Sequence, residues 1–392
     1  MAGAPTRLAA REPLPFVLWP LMCGNFVIGA GVMVVPATLN DISDSFGIGA
    51  AAAGQLVTVG GLVMCIGAPL CAAIVAGWDR RRLLALAMAW YGLLHLACAF
   101  APTLASLLPL RALALLAPAV FTPQAAASVG LLVDPSQRGR AITFLFLGWS
   151  VASVLGMPIG AWLGGEFGWR TAFLAVAGCA AASAAWVWQA MPDGVRPPAL
   201  SRSAWAEVAR SRPLVLCIAV TVAYAAGQFV LFSYFAPYFR QTQGSTPAQL
   251  GLFFMAFGAF GFAGNVWMAR AIDRVGTERG VLVAIAAMAL SMLLWPLGTN
   301  LWLSVLVSAP WAMGCFSSNS AQQARLVAMA PPLAAGSIAL NSSAMYAGQA
   351  FGSAIGGWLI AQLGYASLHW AGLAGLLLAM ALSVLATRAA NS

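Results

Sequence analysis

The chain carries very little charge for its length. Only 7% of its 392 residues are charged, none is lysine, and ten are acidic. A soluble domain commonly has about a quarter of its residues charged, because its surface faces water. With 61% hydrophobic residues and a mean hydropathy of +0.87, the composition excludes a soluble globular protein and predicts a membrane protein.

Histidine and cysteine are too sparse for metal or redox chemistry. The sequence has two histidines, and its seven cysteines form no CxxC pair and lie in apolar stretches. A membrane enzyme needs clustered nucleophiles, acids or metal ligands inside the bundle. We therefore predict no enzymatic activity, no metal and no cofactor, and we interpret the cysteines as small buried hydrophobic residues.

Twelve apolar stretches fill the chain almost from end to end. A helix needs about twenty apolar residues to cross a hydrocarbon layer about 30 Å thick. Open strands would leave backbone groups unpaired in lipid, so we predict an all-α integral membrane protein with twelve transmembrane helices. The predicted spans are 15–38, 53–76, 83–101, 104–133, 141–165, 171–190, 213–238, 247–270, 280–299, 301–327, 335–363 and 366–387.

Arginines concentrate in alternate loops and at the two ends of the chain. Of the 19 arginines, only Arg170 and Arg240 fall in the opposite loops, and Arg111 lies inside the fourth span. Loops rich in arginine remain in the cytoplasm, so both termini are predicted to be cytoplasmic. Because the charge follows the membrane boundaries, we expect contact with anionic lipids and no nucleic-acid partner.

The longest polar stretch divides six spans from six. We predict an N-terminal six-helix bundle at residues 1–190, a cytoplasmic linker at 191–212 and a C-terminal six-helix bundle at 213–392. A constant offset relates a motif of the fifth span to one of the eleventh, which indicates a duplicated unit. We also predict a monomer. The matched residues are Gly156, Gly160, Trp162, Leu163 and Gly168 with Gly352, Gly356, Trp358, Leu359 and Gly364.

Two short loops repeat one charged pattern. Asp79 precedes Arg80 and Arg82 after the second span, and Asp273 precedes Arg274 after the eighth. The pattern resembles the loop motif of the major facilitator superfamily, and specifically of its bacterial drug and sugar efflux branch, which includes arabinose-efflux-like permeases. The resemblance covers the whole chain and implies that these residues form a cytoplasmic gate. An ordinary set of topology-determining charges is the alternative interpretation.

The fifth span resembles the antiporter signature of that superfamily, which implies an exporter or exchanger. A proline in this helix frees a backbone carbonyl, and glycines expose the backbone, so the helix can bend beside a cavity. A helix-packing face without directional meaning is the alternative. The residues of this helix-bending motif are Gly148, Gly156, Pro158, Gly160 and Gly164.

Arg111 lies about two turns inside the fourth span. A charge at this depth in a membrane is expected to be functional. The position resembles the arginine motif of the superfamily, which implies a role in proton coupling or substrate binding. The alternative is that the side chain extends to the outer headgroups.

None of the ten acids lies within a predicted span. A carboxylate proton relay in the membrane is therefore not expected, and the coupling candidates are His95, Arg111, Asp41 and Glu166. His95 could carry a proton because imidazole titrates near neutrality. A hydrogen-bonded packing role for His95 and an uncoupled facilitator are the alternatives.

We predict a substrate site near the midplane, between the two halves. Amides, phenols and indoles suit a neutral or amphipathic molecule, and Arg111 permits an anion. Hydrogen bonding between helices is the alternative role for each of these side chains. The candidate binding residues are Asn25, Arg111, Gln124, Trp149, Tyr224, Gln228, Tyr234, Trp311, Asn319, Asn341, Tyr346 and Gln349.

Together with these features, the family resemblance implies a secondary active transporter in the cytoplasmic (inner) membrane of a bacterium. It is expected to export a sugar, nucleoside, amphipathic drug or organic anion by alternating access, in exchange for protons. An uncoupled facilitator or an importer is the main alternative, and a receptor or a lipid scramblase is a further one. A channel would need a selectivity ring, which the two fused halves do not suggest.

Overall fold

Twelve long helices make up most of the part of the chain that the structure describes. The computed structural model describes residues 14–75, 77–134, 137–196, 206–208, 210–330 and 333–390. The first half comprises α1 (Leu18–Ala37), α2 (Ala50–Ile74), α3 (Arg80–Ala99), α4 (Leu104–Ala114 and Leu116–Leu132), α5 (Arg138–Val151, Ala152–Gly156 and Met157–Phe167) and α6 (Trp169–Ala190). The second comprises α7 (Arg212–Phe232), α8 (Pro247–Val275), α9 (Thr277–Leu294), α10 (Leu301–Met329), α11 (Ala334–Leu363) and α12 (Leu368–Ala390).

Eleven of these helices are long and apolar enough to cross a membrane within the described residues. The other is α11, which has 30 residues but contains several buried polar ones, including Asn341 and Gln349. It is therefore long enough to cross and less apolar than its neighbours. The predicted all-α fold of twelve helices in two six-helix halves is confirmed. Of the predicted linker, residues 197–205 and 209 lie outside the described residues.

A short helix follows the first long helix of each half. Leu39–Phe46 follows α1, and Phe235–Gln243 follows α7. Each ends at a glycine in the left-handed region, Gly47 at φ 63° and Gly244 at φ 62°, where a residue with a Cβ would be strained. The predicted seventh span, 213–238, is therefore wrong at its end, because α7 stops at Phe232 and the chain turns before the short helix.

Prolines explain the interruptions in α4 and α5. Pro118 has no N–H to donate to the Ala114 carbonyl, and α4 breaks at Leu115 between its two segments. In α5, Pro158 likewise has no N–H to donate to the Val154 carbonyl. A π-helical turn over Ala152–Gly156 comes just before it, as often happens where a helix must bend.

The glycines of α5 pack against α1. A Cβ on Gly156 would lie 3.1 Å from the Ala30 Cα atom, and one on Gly160 would lie 3.5 Å from the Ala37 Cβ. In the second half, a Cβ on Gly348 would lie 2.6 Å from the Val222 carbonyl oxygen of α7. Small residues allow such close backbone approach. The same helix pair is thus built in the same way twice.

We name the two ends of the bundle by their charge. The arginine-rich face is where α1, α3, α5 and α7 begin and where α12 ends, and it includes Arg80, Arg138 and Arg212. The arginine-poor face holds the two short helices. Polar clusters and contacts between the halves are distributed differently between these two faces.

Candidate functional site

A polar cluster in the first half joins α1, α4 and α5. The Thr122 hydroxyl donates to Asn25 Oδ1 at 2.7 Å, and Asn25 Nδ2 donates to the Leu145 carbonyl at 3.2 Å. Trp149 Nε1 donates to the Thr122 hydroxyl at 3.4 Å. Asn25 is buried, whereas Trp149 is half-buried. The cluster therefore combines an amide, a hydroxyl and an indole.

A second polar cluster joins α7, α10 and α11. The Thr221 hydroxyl donates to Asn341 Oδ1 at 2.6 Å, and Asn341 Nδ2 donates to Asn319 Oδ1 at 3.2 Å. Tyr224 is fully buried, and its hydroxyl lies near Thr221 and Ser318. The structure thus brings Asn319, Asn341 and Tyr224 together, and their role in substrate binding stays a prediction.

The two clusters occupy equivalent positions in the two halves. Asn25 is offset from Thr221, and Leu145 from Asn341, by the spacing that relates Gly156 to Gly352. Most residues of both clusters lie on the arginine-rich side of the midpoints of their helices, and Thr221 and Tyr224 lie close to the midpoint of α7. Two sets of neutral donors and acceptors therefore lie at matching depths.

Arg111 lies inside the first half and does not extend to the membrane surface. It is 2% exposed, and its Nη1 donates to His95 Nε2 at 3.1 Å while its Nη2 donates to the Val32 carbonyl at 3.1 Å. His95 Nδ1 lies 2.9 Å from the Tyr91 carbonyl, and the Tyr91 hydroxyl donates to the Ile28 carbonyl at 3.1 Å. The network links α1, α3 and α4.

This geometry assigns one tautomer to His95. A carbonyl oxygen can only accept, so Nδ1 must carry the proton toward Tyr91; a guanidinium can only donate, so Nε2 must be bare. A proton on Nε2 and the hydrogen bond from Arg111 are mutually exclusive. His95 is therefore held neutral in this arrangement, and it could take a proton only if Arg111 moved away.

The second half has a matching network without a charge. Trp311 Nε1 donates to Gln228 Oε1 at 3.5 Å, and the Trp311 backbone N–H donates to the Ser291 hydroxyl at 2.8 Å. Gln228 and Ser291 are the sequence equivalents of Val32 and His95 at the offset of the repeat. Trp311 also belongs to a cluster of buried aromatic rings that includes Phe232, Phe235, Phe239, Phe253, Phe257 and Trp295.

Two glycines bring the halves together near the midpoints of their helices. A Cβ on Gly61 of α2 would lie 2.8 Å from the Tyr346 carbonyl oxygen of α11, and one on Gly258 of α8 would lie 2.5 Å from the Ser153 carbonyl oxygen of α5. Both contacts are with backbone, which cannot give way as a flexible side chain would. The pairs α2 with α11 and α5 with α8 therefore form a tight seal.

Tyr234 extends this seal and is not part of either polar cluster. Its hydroxyl donates to the Ser353 carbonyl at 2.7 Å, and the Ser353 hydroxyl donates to the Gly54 carbonyl of α2 at 3.2 Å. Gly54 has no Cβ, and one placed there would collide with the Tyr234 ring. Of the other predicted binding residues, Gln124 and Gln349 are buried and Tyr346 is half-buried.

The two short helices meet across the halves. Arg240 donates from Nη1 to Asp44 Oδ2 at 2.5 Å and from Nη2 to Asp44 Oδ1 at 3.1 Å, and Asn40 Nδ2 donates to the Ala236 carbonyl at 2.9 Å. Asp41 Oδ2 would lie 2.9 Å from a Cβ on Gly164. Burial raises the pKa of the Asp41 carboxyl. Glu166, at the end of α5, is exposed.

The first charged loop binds within its own half. Asp79 caps α3 by accepting from the Arg82 backbone N–H at 3.3 Å, and its other oxygen accepts from the Gly194 N–H at 2.6 Å. Arg80 is buried and donates to the Val75 and Trp78 carbonyls. Capping of this kind stabilises the start of a helix. The loop is therefore tied to the segment after α6.

The other predicted gate residues are more loosely placed. The side chains of Arg82 and Arg274 are exposed, and the side chain of Asp273 lies outside what the structure describes. Beside them, Arg81 of the first half pairs with Asp193, at the start of the predicted linker, at 2.7 Å.

The two matched halves, with polar clusters inside and a seal between them, define a polytopic membrane protein of transporter architecture. Residues 21–338 and 221–392 match the Major Facilitator Superfamily, and the chain belongs to this family of membrane transporters.

Similar proteins agree with this assignment. The chain is 27% identical over 352 residues to a probable sugar efflux transporter of Helicobacter pylori, covering 88% of this chain and 89% of that protein. It is 30% identical over 288 residues to a chloramphenicol resistance protein of Streptomyces lividans, covering 71% and 74%. The crystal structure of a D-xylose–proton symporter has the same fold, with a TM-score of 0.75, 17% identity and coverage of 93% and 96%.

Several residues of the site were missed from sequence. Thr122 and Thr221 complete the polar clusters, and Gly61 and Gly258 form the seal. Applying the offset of the glycine motif to every helix would have indicated some of them, because Thr221 is the equivalent of Asn25. No sequence pattern distinguishes Arg325 from the arginines of the cytoplasmic loops. In the structure it is buried, and its Nη1 donates to the Ser383 hydroxyl at 3.0 Å.

Proposed function

We propose that this transporter exports a small organic molecule by alternating access. The observation that carries the proposal is the arrangement of the two polar clusters and the seal. The clusters lie at the helix midpoints or on their arginine-rich side, and the seal extends from the midpoints, at Gly61 and Gly258, to Gly54 and Tyr234 toward the arginine-poor face. A substrate would reach the clusters from the arginine-rich face and leave by the other face after the halves rock against each other.

The arginine-rich face is proposed to be cytoplasmic, with both termini inside and the protein in the inner membrane of a bacterium. The arginine asymmetry supports this orientation, and the similar proteins named above come from bacteria. With this orientation, movement from the clusters across the seal is export. Contact of the basic face with anionic lipids follows from the same charge distribution.

The clusters favour an uncharged, hydrogen-bonding substrate such as a sugar or nucleoside. Asn25 and Asn341 are buried and each uses one N–H and one lone pair within its cluster, so each amide keeps a second donor and a second acceptor site for a substrate once the halves move. Trp149 offers an apolar ring face for a sugar ring or a drug. Arg111 is occupied by His95 and Val32 in this arrangement, so an organic anion is a poorer fit here than a neutral molecule. The names of the sugar efflux and chloramphenicol resistance relatives support the same substrate range.

Proton antiport is proposed to proceed through His95 and Arg111. A proton and the Arg111 guanidinium compete for His95 Nε2. A proton that binds to Nε2 displaces the guanidinium, and return of the guanidinium expels the proton. His95 lies one turn from the arginine-poor end of α3, which places it near the outer solution once the seal opens. A proton taken from outside would then be exchanged for substrate.

The test uses purified protein in liposomes that contain a trapped pH dye. Pentoses, hexoses, nucleosides and chloramphenicol are added in turn, and proton movement and radiolabelled flux are recorded together. We expect one class to evoke saturable proton movement. Saturable flux that ignores an imposed pH gradient would favour the uncoupled facilitator, and absence of saturable flux for every class would contradict transport of such molecules.

A further inference from the structure

The ion pair of the arginine-poor face joins equivalent positions of the two halves. Asp44 and Arg240 are 196 residues apart, and the glycine motif repeats from Gly156 to Gly352 with the same spacing. Two residues related by a two-fold axis can touch each other only on or beside that axis. The pair therefore marks the point where the pseudo-two-fold axis meets the arginine-poor face.

A second contact obeys the same rule. Asn40 donates to the carbonyl of Ala236 at 2.9 Å, and these residues are also 196 apart. Both contacts join Leu39–Phe46 to Phe235–Gln243, and each helix ends at a left-handed glycine that fixes where it stops. Two independent hydrogen-bonding contacts thus meet at one place on the axis.

We infer that Asp44, Arg240 and Asn40 form an ionic latch that holds the arginine-poor face closed and sets the balance between the sealed form and a form open at that face. The inference rests on the alternating access of the proposed function. Opening this face must separate the two short helices, because they belong to different halves, and the latch must then break.

The latch shifts the equilibrium between the sealed and open forms without preventing the face from opening. The side chain of Arg240 is 50% exposed and that of Asp44 is 58% exposed, so water and salt screen their attraction. The bidentate geometry makes the pair stronger than a single contact. Breaking it should change the ratio of open to sealed molecules about twofold to fivefold, as expected for an exposed pair.

The test measures this ratio in lipid nanodiscs without any substrate. Spin labels are placed through Phe167→Cys and Thr299→Cys, two exposed positions of opposite halves on this face, after replacement of the native cysteines. Electron paramagnetic resonance then gives the distance distribution. We expect Arg240→Ala to raise the open fraction, and we expect high salt to move the parent protein in the same direction.

The most informative variant exchanges the charges of Asp44 and Arg240. The two positions are symmetry equivalents, so Asp44→Arg combined with Arg240→Asp should rebuild the pair and restore the original ratio, whereas Asp44→Arg alone should open the face. Asp193→Ala is the matched control, because it breaks the Arg81–Asp193 pair, which joins the first half to the start of the predicted linker, and should leave the ratio unchanged. An unaltered ratio in Arg240→Ala, or no recovery in the exchanged pair, would overturn the latch.

A bulky substitution at Gly258 distinguishes failure of the latch inference from failure of the proposed function. Gly258→Leu forces a side chain against the backbone of Ser153 and should open the face strongly. If this variant opens and Arg240→Ala does not, the latch is wrong and alternating access stands. If no variant ever shows an open form, alternating access is contradicted, and the latch is contradicted with it.

Discussion

The two halves share one backbone plan, yet different chemistry surrounds one pair of equivalent positions, Val32 and His95 in the first half and Gln228 and Ser291 in the second. In the first half, Arg111 is held by His95 and the Val32 carbonyl. In the second half, Gln228, the equivalent of Val32, accepts from the indole of Trp311, and Ser291, the equivalent of His95, accepts from the Trp311 backbone N–H. A duplicated architecture can therefore keep its helix contacts while one copy gains a charge and the other gains an aromatic core.

This difference assigns different tasks to the halves. Aromatic rings that interlock from several helices resist rearrangement, because every ring fills a volume that its neighbours leave. Hydrogen bonds from a guanidinium to a histidine nitrogen and a carbonyl can be exchanged for others. We therefore interpret the second half as the stiffer body and the first half as the one whose interior bonds change during transport.

The largest expected effect is on the stability of the aromatic half. Phe235 is fully buried and stacks on Trp295 with ring centroids 5.7 Å apart. Phe235→Ala should lower the free energy of unfolding by about 3 to 5 kcal/mol, because it leaves a cavity among rigid rings. Thermal unfolding in detergent measures the change. Phe351→Ala, at an exposed phenylalanine, should have little effect, and equal losses would contradict a stiff core.

Arg111 provides the corresponding test of the charged half. Arg111→Ala leaves His95 Nε2 without its donor and should reduce transport more than tenfold, because a buried acceptor without a partner costs about 1 to 3 kcal/mol and coupling loses its switch. Arg111→Lys should recover only part, since one ammonium cannot hold both acceptors in the same geometry. Flux of the transported probe measures both.

Trp311→Phe tests whether the Trp311 network of the second half has the same role as the Arg111 network of the first half. This change removes only one long hydrogen bond and keeps most of the ring volume. It should leave flux within about threefold of the parent protein, as expected for loss of a neutral hydrogen bond. A loss as large as that of Arg111→Ala would mean that the two networks have the same task.

A smaller effect is expected from Asp41. Burial raises the pKa of its carboxyl in the sealed form, and hydration after opening should lower it toward its ordinary value. The sealed form therefore binds this proton more tightly, so sealing is favoured in acid and loses this contribution as the pH rises through the raised pKa. The charged neighbours are Asp44 and Arg240. The distance measurement between about pH 4 and pH 7 should show this trend, and Asp41→Asn should flatten it.

The sequence predicted the helices well because each must supply about twenty apolar residues to the bilayer. It also predicted that the two halves are related, since Trp162 and Leu163 recur in frame with the glycines. It placed the end of the seventh span wrongly, because the first residues of the short helix Phe235–Gln243 are apolar and continue the hydrophobic run, and only a backbone turn separates that helix from α7.

The candidate site was less predictable than the fold. Asn25, Asn319 and Asn341 were selected as polar residues on cavity helices, and they do form the two clusters. The seal depends on residues that have no side chain, such as Gly61, and absence of a side chain gives no signal among 40 glycines. The role of Tyr234 in the seal depends on which helix faces it across the halves, and that is a property of the assembled bundle.

The most direct test of the account compares His95→Gln with the parent protein in liposomes. Glutamine can accept from Arg111 as His95 Nε2 does, but it cannot take up a proton at neutral pH; His369→Gln is the control at the other histidine. With a probe that the parent protein transports, we predict that His95→Gln still exchanges probe across the membrane at equilibrium but no longer concentrates it against a pH gradient. Gradient-driven accumulation equal to that of the parent protein would contradict the proposed coupling.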